Sequence, residues 1–148
     1  MNVTLPIDSI LKMLLPLSND NKKWLADKLY EDIKAGNKIA MMSQRLDSLT
    51  ELRQGWDGNN ALPIDQRTYS NMQAVLLCCH DEDVEQWLLF PDIDGSLYLD
   101  LKSDKADAGI ILSSNAFSFF TDDHAEKDIP FSTDVFMKVL RSINKLVA

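Results

Sequence analysis

Carboxylate and imidazole side chains cluster in residues 122–126, where they could together bind a divalent metal ion. The cluster consists of Asp122, Asp123, His124 and Glu126. Oxygen ligands suit calcium and magnesium, and imidazole suits the transition metals. However, a metal site requires ligands that converge in space, and a short polar cluster in a loop is normally solvated. We therefore expect no metal site here.

Residues 92–95, which read Asp-Ile-Asp-Gly, contain part of the pattern of a calcium-binding loop. An EF-hand loop also needs a carboxylate two residues earlier and a bidentate glutamate at its twelfth position. Those positions hold Phe90 and Leu101. Since aspartate and glycine also tolerate tight turns, the stretch predicts a hairpin turn, and we expect no cofactor.

The adjacent cysteines, Cys78 and Cys79, do not lie in a pattern that indicates catalysis. Neighbours in a helix point about 100° apart and cannot form a disulfide without distortion. Cys79 falls on a predicted apolar stripe, where a free cysteine acts as a small hydrophobic residue. His80 is poorly placed to activate its sequence neighbour. The chain has no Gly-x-Ser-x-Gly motif and no glycine-rich phosphate loop, so we expect it not to be an enzyme.

The same cysteines bear on the compartment, since two free thiols suit a reducing environment. The first residues lack the basic region and the cleavage site of a signal peptide. The longest apolar run is far short of the roughly 20 residues that a membrane helix needs. We expect a cytoplasmic protein that does not contact membranes.

The most distinctive stretch is the loop at residues 55–64, which contains two glycines, two asparagines and a proline. Such a composition favours no regular element. Trp56 has two interpretations. It is either an exposed anchor for a partner, since tryptophan is favoured at binding hot spots, or a plug whose indole N–H donates to a carbonyl. We favour the second, with Asp57 bracing the loop.

The formal net charge of −8 is unevenly distributed. Residues 1–53 carry a net charge of +1 and residues 54–148 carry −9. The acidic part is either a solvated surface or a face for a basic partner protein. DNA contact through the N-terminal lysines is an alternative, but a polyanion repels the chain as a whole. The candidate partner-binding residues are Trp56, Asp57, Asp92, Asp94, Asp122 and Asp123.

Helical periodicity dominates the first half of the chain. A short helix follows Asp8 and ends at Pro16, and a second is capped by Ser18 and ends at Gly36. A third ends at Gly55, and a fourth, capped by Asp65, ends near residue 80. The apolar faces of the last three helices comprise Trp24, Leu25, Leu29 and Ile33, then Ile39, Met42, Leu46, Leu49 and Leu52, then Tyr69, Met72, Leu76 and Cys79.

The period then changes from 3.6 to 2. Four strands are predicted at residues 87–90, 96–101, 109–113 and 116–120, joined by turns short enough to make neighbours antiparallel. Residues 122–132 are predicted to be a polar loop before a last helix with Val135, Phe136, Val139, Leu140, Ile143 and Leu146 on its apolar face. The fold class is therefore α+β, with N-terminal helices, a four-stranded antiparallel meander and a C-terminal helix packed on the sheet. We divide the chain into a helical segment, 1–54, and an α+β domain, 55–148.

Three parts of the chain resemble known families. Gly-Trp-Asp-Gly at residues 55–58, Ala-Leu-Pro-Ile at 61–64, and Pro91 followed by Asp-Gly-Ser-Leu-Tyr-Leu-Asp at 94–100 resemble a family of small uncharacterised bacterial proteins. This match covers about residues 50–120 and implies no activity. Residues 17–33 are similar to the helical N-terminus of short addiction-module antitoxins. The opening Val-Thr-Leu-Pro is faintly similar to a ribbon-helix-helix repressor, but Pro6 would spoil the pairing of such a ribbon.

These observations lead to the hypothesis of a non-enzymatic protein-binding module, an antitoxin-like component of a toxin–antitoxin pair. Its N-terminal helices would form a homodimer or touch DNA, and its acidic part would hold a basic toxin by charge complementarity. Two alternatives stay open. One is a bacterial adaptor or structural domain, and the other is a small enzyme that uses the 122–126 loop or a groove beside Trp56.

Overall fold

A computed structural model describes residues 15–148, and for residues 28–37 it describes the backbone alone. The chain forms two compact units, Met1–Gly36 and Asn37–Ala148. The short helix predicted after Asp8 lies outside the described residues, as do the side chains of Leu29 and Ile33.

The first described helix, α1, spans Asn19–Leu49. Ser18 caps it as predicted, because its Oγ accepts a hydrogen bond from the Asn21 N–H at 3.2 Å. The predicted stop at Gly36 is wrong, since the helix continues through this residue. A glycine inside a helix costs only about 1 kcal/mol relative to alanine. Of the predicted apolar positions, Trp24 is exposed, whereas the stripe of Met42, Leu46 and Leu49 is buried.

Three further helices follow. Helix α2 spans Gln66–Cys78, and its predicted cap Asp65 accepts hydrogen bonds from the backbone N–H groups of Arg67 and Thr68. Helix α3 is the single turn Asp81–Val84. Helix α4 spans Thr133–Leu146 and is capped by Ser132, whose side chain accepts from the Val135 N–H.

The sheet has five antiparallel strands in the order β1-β2-β3-β4-β5. The fifth strand lies in the stretch that the sequence predicted to be a polar loop, so the prediction of four strands is corrected to five. It was missed because every residue of this edge strand except the half-buried Ile129 is exposed, and the strand shows no apolar alternation. The strands are β1 Trp87–Pro91, β2 Leu97–Leu101, β3 Gly109–Leu112, β4 Ala116–Phe120 and β5 Ala125–Pro130.

One face of the sheet forms the core. Leu97, Leu99 and Leu101 alternate into it, as predicted, with exposures of 5% or less. The buried residues of α1, α2 and α4 join them in one cluster. The predicted α+β fold with helices on the sheet is therefore confirmed.

Helix α4 is fixed to the sheet by aromatic and polar contacts. The rings of Phe117 and Phe136 meet edge to face, with centroids 5.1 Å apart. The Trp87 Nε1–H donates to Asn144 Oδ1 at 2.8 Å. Val135 and Leu146, predicted on the apolar face of this helix, are instead exposed. Among the helices of the described residues, none is long and apolar enough to span a membrane.

Candidate functional site

The Gly-Trp-Asp-Gly loop is closed and stabilised by its own hydrogen bonds. The Gly55 N–H donates to the Ala61 carbonyl at 2.7 Å, which closes the loop. Asp57 Oδ1 accepts from the backbone N–H groups of Asn59 and Ala61 at 2.9 and 3.1 Å. The half-buried Trp56 donates its indole N–H to the Leu62 carbonyl at 2.8 Å. The predicted indole bond to a carbonyl and the predicted brace by Asp57 are both confirmed.

This loop is joined by its backbone to the β1–β2 turn. The Leu62 N–H donates to the Ile93 carbonyl at 2.7 Å, and the Asp65 N–H donates to the Gly95 carbonyl at 2.9 Å. Gly95 has a φ of +89°, and a side chain there would meet the Pro63 carbonyl oxygen at 3.0 Å. A glycine is therefore required where the turn touches the loop.

The aspartates of the turn are engaged in holding its shape. Asp92 Oδ1 accepts from the Ile93 N–H at 2.7 Å. Asp94 Oδ1 accepts from both the backbone N–H and the hydroxyl of Ser96. The Ser96 hydroxyl bond, which outweighs the effect of burial, holds the pKa of Asp94 below its usual range. These carboxylates act locally as turn residues.

The six candidate residues do not form one site. Trp56, Asp57, Asp92 and Asp94 lie at the loop–turn junction. Asp122 and Asp123 follow β4, at the opposite end of the strands, because successive hairpins of a meander alternate between the two ends of a sheet. A strand of five residues separates the ends by about 16 Å. The members of this second group lie near the β2–β3 connection, where Asp122 Oδ2 accepts from the Asp107 N–H at 3.3 Å.

The geometry provides little support for the alternatives that involve catalysis or metal binding. Among the side chains that the structure describes, those of residues 15–27 and 38–148, no three His, Cys, Asp or Glu are grouped as metal ligands. Beside the Trp56 loop lies an open cavity of about 800 Å³, and Glu51 is the one carboxylate among its described lining residues. Burial raises the pKa of the Cys79 thiol to about 12, so this cysteine stays protonated and unreactive at neutral pH.

Sequence reasoning missed an apolar surface on the face of the sheet opposite the core. We call it the open face, and define it by Leu88, Phe90, Tyr98, Ile111 and Phe120. Strand register places Phe90, Tyr98 and Ile111 side by side on β1, β2 and β3. Leu88, Phe90, Ile111 and Phe120 are each 37% exposed, so they remain in contact with solvent.

The carboxylate of Asp100 lies within the open face. Asp100 is the neighbour of Leu88 on β1 and of Gly109 on β3. The Tyr98 hydroxyl donates to Asp100 Oδ1 at 3.3 Å, and Lys102 Nζ lies 3.6 Å from Asp100 Oδ2. Burial, followed by the charge of Asp100, raises the pKa of the Tyr98 hydroxyl. The face therefore combines aromatic and aliphatic contact area with a carboxylate that is paired with Lys102. A signal for it was present in the sequence, since β1 has apolar residues at consecutive positions and therefore on both of its faces.

Both edges of the sheet are blocked against further strands. Residues 86 and 92 bond across to β2, so Trp87, Leu89 and Pro91 direct their backbone groups outward. The outward Leu89 carbonyl accepts a hydrogen bond from Arg45 Nε at 3.1 Å, and Pro91 has no N–H to offer. At the other edge, β5 contains a register shift and the left-handed Asp128, with a φ of +56°.

The described residues thus define an α+β protein whose meander sheet has helices on one face and an exposed apolar surface on the other. Comparisons of the chain with protein-family models, with curated proteins and with solved structures found no match. The three resemblances given above stay predictions.

Proposed function

We propose that this chain is a non-enzymatic protein-binding module, antitoxin-like in kind, which holds a basic partner protein on the open face. The observation that supports this most is the row of Phe90, Tyr98 and Ile111 on a sheet surface that lies in solvent. A sheet with one covered face normally buries the other face when that face is apolar. Contiguous exposed apolar patches mark interaction sites more often than scattered residues do.

The face is a better binding surface than either edge. Arg45 and Pro91 block β1, while the bulge at Asp128 disrupts β5. Strand addition would require a row of unpaired backbone groups, and these features remove or occupy some of them. A partner is therefore expected to bind by its side chains against the side chains of the open face.

Charge favours a basic partner over a second copy of this chain. Asp100 lies within the face, Asp92 and Asp94 lie at one end of its strands, and Asp107 and Asp122 lie at the other. Two copies packed face to face would bring these carboxylates together, and like charges across an interface are unfavourable. A basic protein would instead be attracted and oriented by them, and its association rate would fall at high salt. This is the charge pattern expected of an antitoxin-like protein.

The proposed role of the N-terminal helices is self-association or DNA contact. The proposed compartment is the cytoplasm. Cys78 and Cys79 are both free thiols, which favours a reducing environment. An adaptor without a toxin partner would use the same face, so the identity of the bound protein distinguishes the two roles.

The proposal is tested by pull-down from source cells with the wild-type chain and two matched variants. Ile111→Asp places a charge in the open face, whereas Leu77→Asp places the same charge on an apolar side chain of α2 that is 89% exposed. We expect a small basic protein to be captured at equal stoichiometry by the wild type and by Leu77→Asp, and to be lost with Ile111→Asp. Equal capture by all three would show that the open face does not bind the partner. A clean preparation from the wild type would count against the protein-binding module itself.

A further inference from the structure

A groove runs between α1 and the outer side of β1, next to the open face. Its volume is about 310 Å³, at the small end of the range for ligand pockets, about 300–1,000 Å³. The groove is lined on the helix side by Lys38, Met41 and Arg45, and on the strand side by residues that include Leu88 and Phe90. Since Leu88 and Phe90 also belong to the open face, a partner that covers the face reaches this groove.

The walls of the groove are suited to an aromatic or large aliphatic side chain. Met41 is 53% exposed, and Leu88 and Phe90 are each 37% exposed. A flexible methionine adapts its shape to an inserted group, and its sulfur makes favourable contacts with aromatic rings. Together these three side chains provide the apolar area that a buried anchor of a binding hot spot requires.

The charges of the groove are opposite to those of the acidic surface around it. Lys38 and Arg45 are its charged lining residues among those described, in a chain with a net charge of −8. The Arg45 Nε–H donates to the Leu89 carbonyl, and its guanidinium lies 6.0 Å from the centroid of the Phe90 ring. The ion pairs found among the described residues involve neither Arg45 nor Lys38. Arginine has five N–H donors, and the Nε–H is the Arg45 donor that has a hydrogen-bond partner among the described residues.

We propose that this groove anchors a segment of the partner polypeptide in which a bulky aromatic side chain is adjacent to an acidic residue. The aromatic ring packs against Met41, Leu88 and Phe90, and the carboxylate binds Arg45 and Lys38. This inference rests on the proposed function, since it assumes a protein partner on the open face. It adds a local anionic feature to a partner that is otherwise basic, and this feature fixes the orientation in which the partner docks.

The experiment uses blocked dipeptides and the full chain with ¹³C-labelled methionine methyl groups, observed by NMR at low salt. Acetyl-Phe-Glu-amide is the probe, acetyl-Phe-Gln-amide removes the charge, and acetyl-Ala-Glu-amide removes the ring. We expect saturable shifts of the Met41 and Met42 methyl signals. The Phe-Glu probe should bind about fivefold more tightly than Phe-Gln, the preference that one partly exposed charge pair provides. The Ala-Glu probe should bind more weakly than either.

Three variants make the result specific to the groove. Arg45→Gln and Lys38→Gln should each reduce the preference for glutamate over glutamine, and Lys38→Gln does so without touching the Leu89 carbonyl. Met41→Trp fills the groove and removes the Met41 signal, so the Met42 methyl signal is the reporter in this variant and should no longer shift. Thermal unfolding confirms that each variant is folded. The absence of shifts at Met41 and Met42, or equal affinity for the Glu and Gln probes, would overturn the inference.

A separate probe distinguishes a peptide site from a small-molecule site. Phenylacetate carries a ring and a carboxylate without a peptide backbone. If it binds as tightly as acetyl-Phe-Glu-amide, the groove is a site for small aromatic acids and the inference is wrong. The proposed function is judged independently by the Ile111→Asp pull-down. If Ile111→Asp loses capture and no dipeptide binds, the inference about the groove is wrong and the proposed function stands.

Discussion

The ring of Phe120 lies directly over the backbone of Gly109, its neighbour across the β3–β4 pair. A Cβ atom built on Gly109 would lie 2.5 Å from Phe120 Cε1 and 2.7 Å from the Tyr98 hydroxyl oxygen. Two aromatic side chains of the open face therefore occupy the space that the glycine leaves empty. Aromatic cover of a glycine within a sheet stabilises the strand at a point where it would otherwise be weak.

The first prediction concerns this glycine. Gly109→Ala should destabilise the protein by about 1–3 kcal/mol, because the new methyl group displaces the Phe120 ring from a packed position. Urea unfolding followed by circular dichroism measures the change. In the double variant Gly109→Ala/Phe120→Ala the clash with Phe120 is absent and only the close approach to the Tyr98 hydroxyl remains. The destabilisation of the double variant should therefore be smaller than the sum of the values for the two single variants. Strict additivity would show that the contact between the two residues is not the cause.

Much of the fold could be predicted because local signals and packing agree in many places. The caps at Ser18 and Asp65, and the alternation of Leu97, Leu99 and Leu101, were each visible as a residue type at a fixed offset. Helix α1 continues through Gly36 because the packing of the apolar stripe that follows this residue outweighs the weak preference of glycine to end a helix. Strand β5 was missed because an edge strand with one half-buried residue, Ile129, has no periodic signal.

The candidate site was predicted less well, for a geometric reason. The Gly-Trp-Asp-Gly loop and the β1–β2 turn were recognised separately, and only the structure shows that the Leu62 N–H joins the loop to Ile93. Asp122 and Asp123 follow β4 and lie at the end of the sheet opposite the β1–β2 turn, a separation that the predicted meander already implied. The open face was not identified because an apolar pattern indicates that a side chain favours burial. The pattern does not indicate whether another element covers that side chain.

The second prediction tests whether the loop is structural. Asp57→Ala removes the acceptor of the Asn59 and Ala61 N–H groups, and should destabilise the protein by about 1–2 kcal/mol. Asp57→Asn keeps a side-chain oxygen in the same place and should cost less. Thermal or urea unfolding measures both. If both variants are as stable as the wild type, Asp57 does not brace the loop and becomes a candidate binding residue again.

The third prediction concerns the ion pair between Asp83 and Arg141. Two guanidinium nitrogens lie 3.2 Å from the two Asp83 oxygens, and the Asp83 side chain is 9% exposed. Burial alone would raise the pKa of Asp83, but the hydrogen bonds from Arg141 and the His80 N–H outweigh it and lower that pKa. A depressed carboxyl pKa contributes stability that is present above the unfolded pKa, about 3.9, and is lost as the pH falls through the folded value.

The free energy of unfolding should therefore fall as the solution is acidified below about pH 4, and part of this fall should vanish in Asp83→Asn. At pH 7 the variant should be less stable by about 2 kcal/mol, the size of a hydrogen bond to a charged group. Urea titrations between pH 3 and 7 provide the comparison. Asp104→Asn, which removes an exposed carboxylate of the β2–β3 connection, is the matched control and should follow the wild-type profile. Parallel profiles for all three proteins would contradict the assignment.

The fourth prediction concerns the β1 edge. Arg45 occupies the outward carbonyl of Leu89, and Pro91 provides no N–H for another strand. The double variant Arg45→Met/Pro91→Val restores two outward backbone groups beside an apolar groove and a strand of high β propensity. It should self-associate by edge pairing, which light scattering after size-exclusion chromatography detects as concentration-dependent growth. Lys38→Met/Ile93→Val is the matched control, because it alters charge and shape nearby but leaves both blocking residues in place. A monodisperse double variant at the concentration where the wild type is monodisperse would mean that other features, such as the shortness of β1, protect this edge.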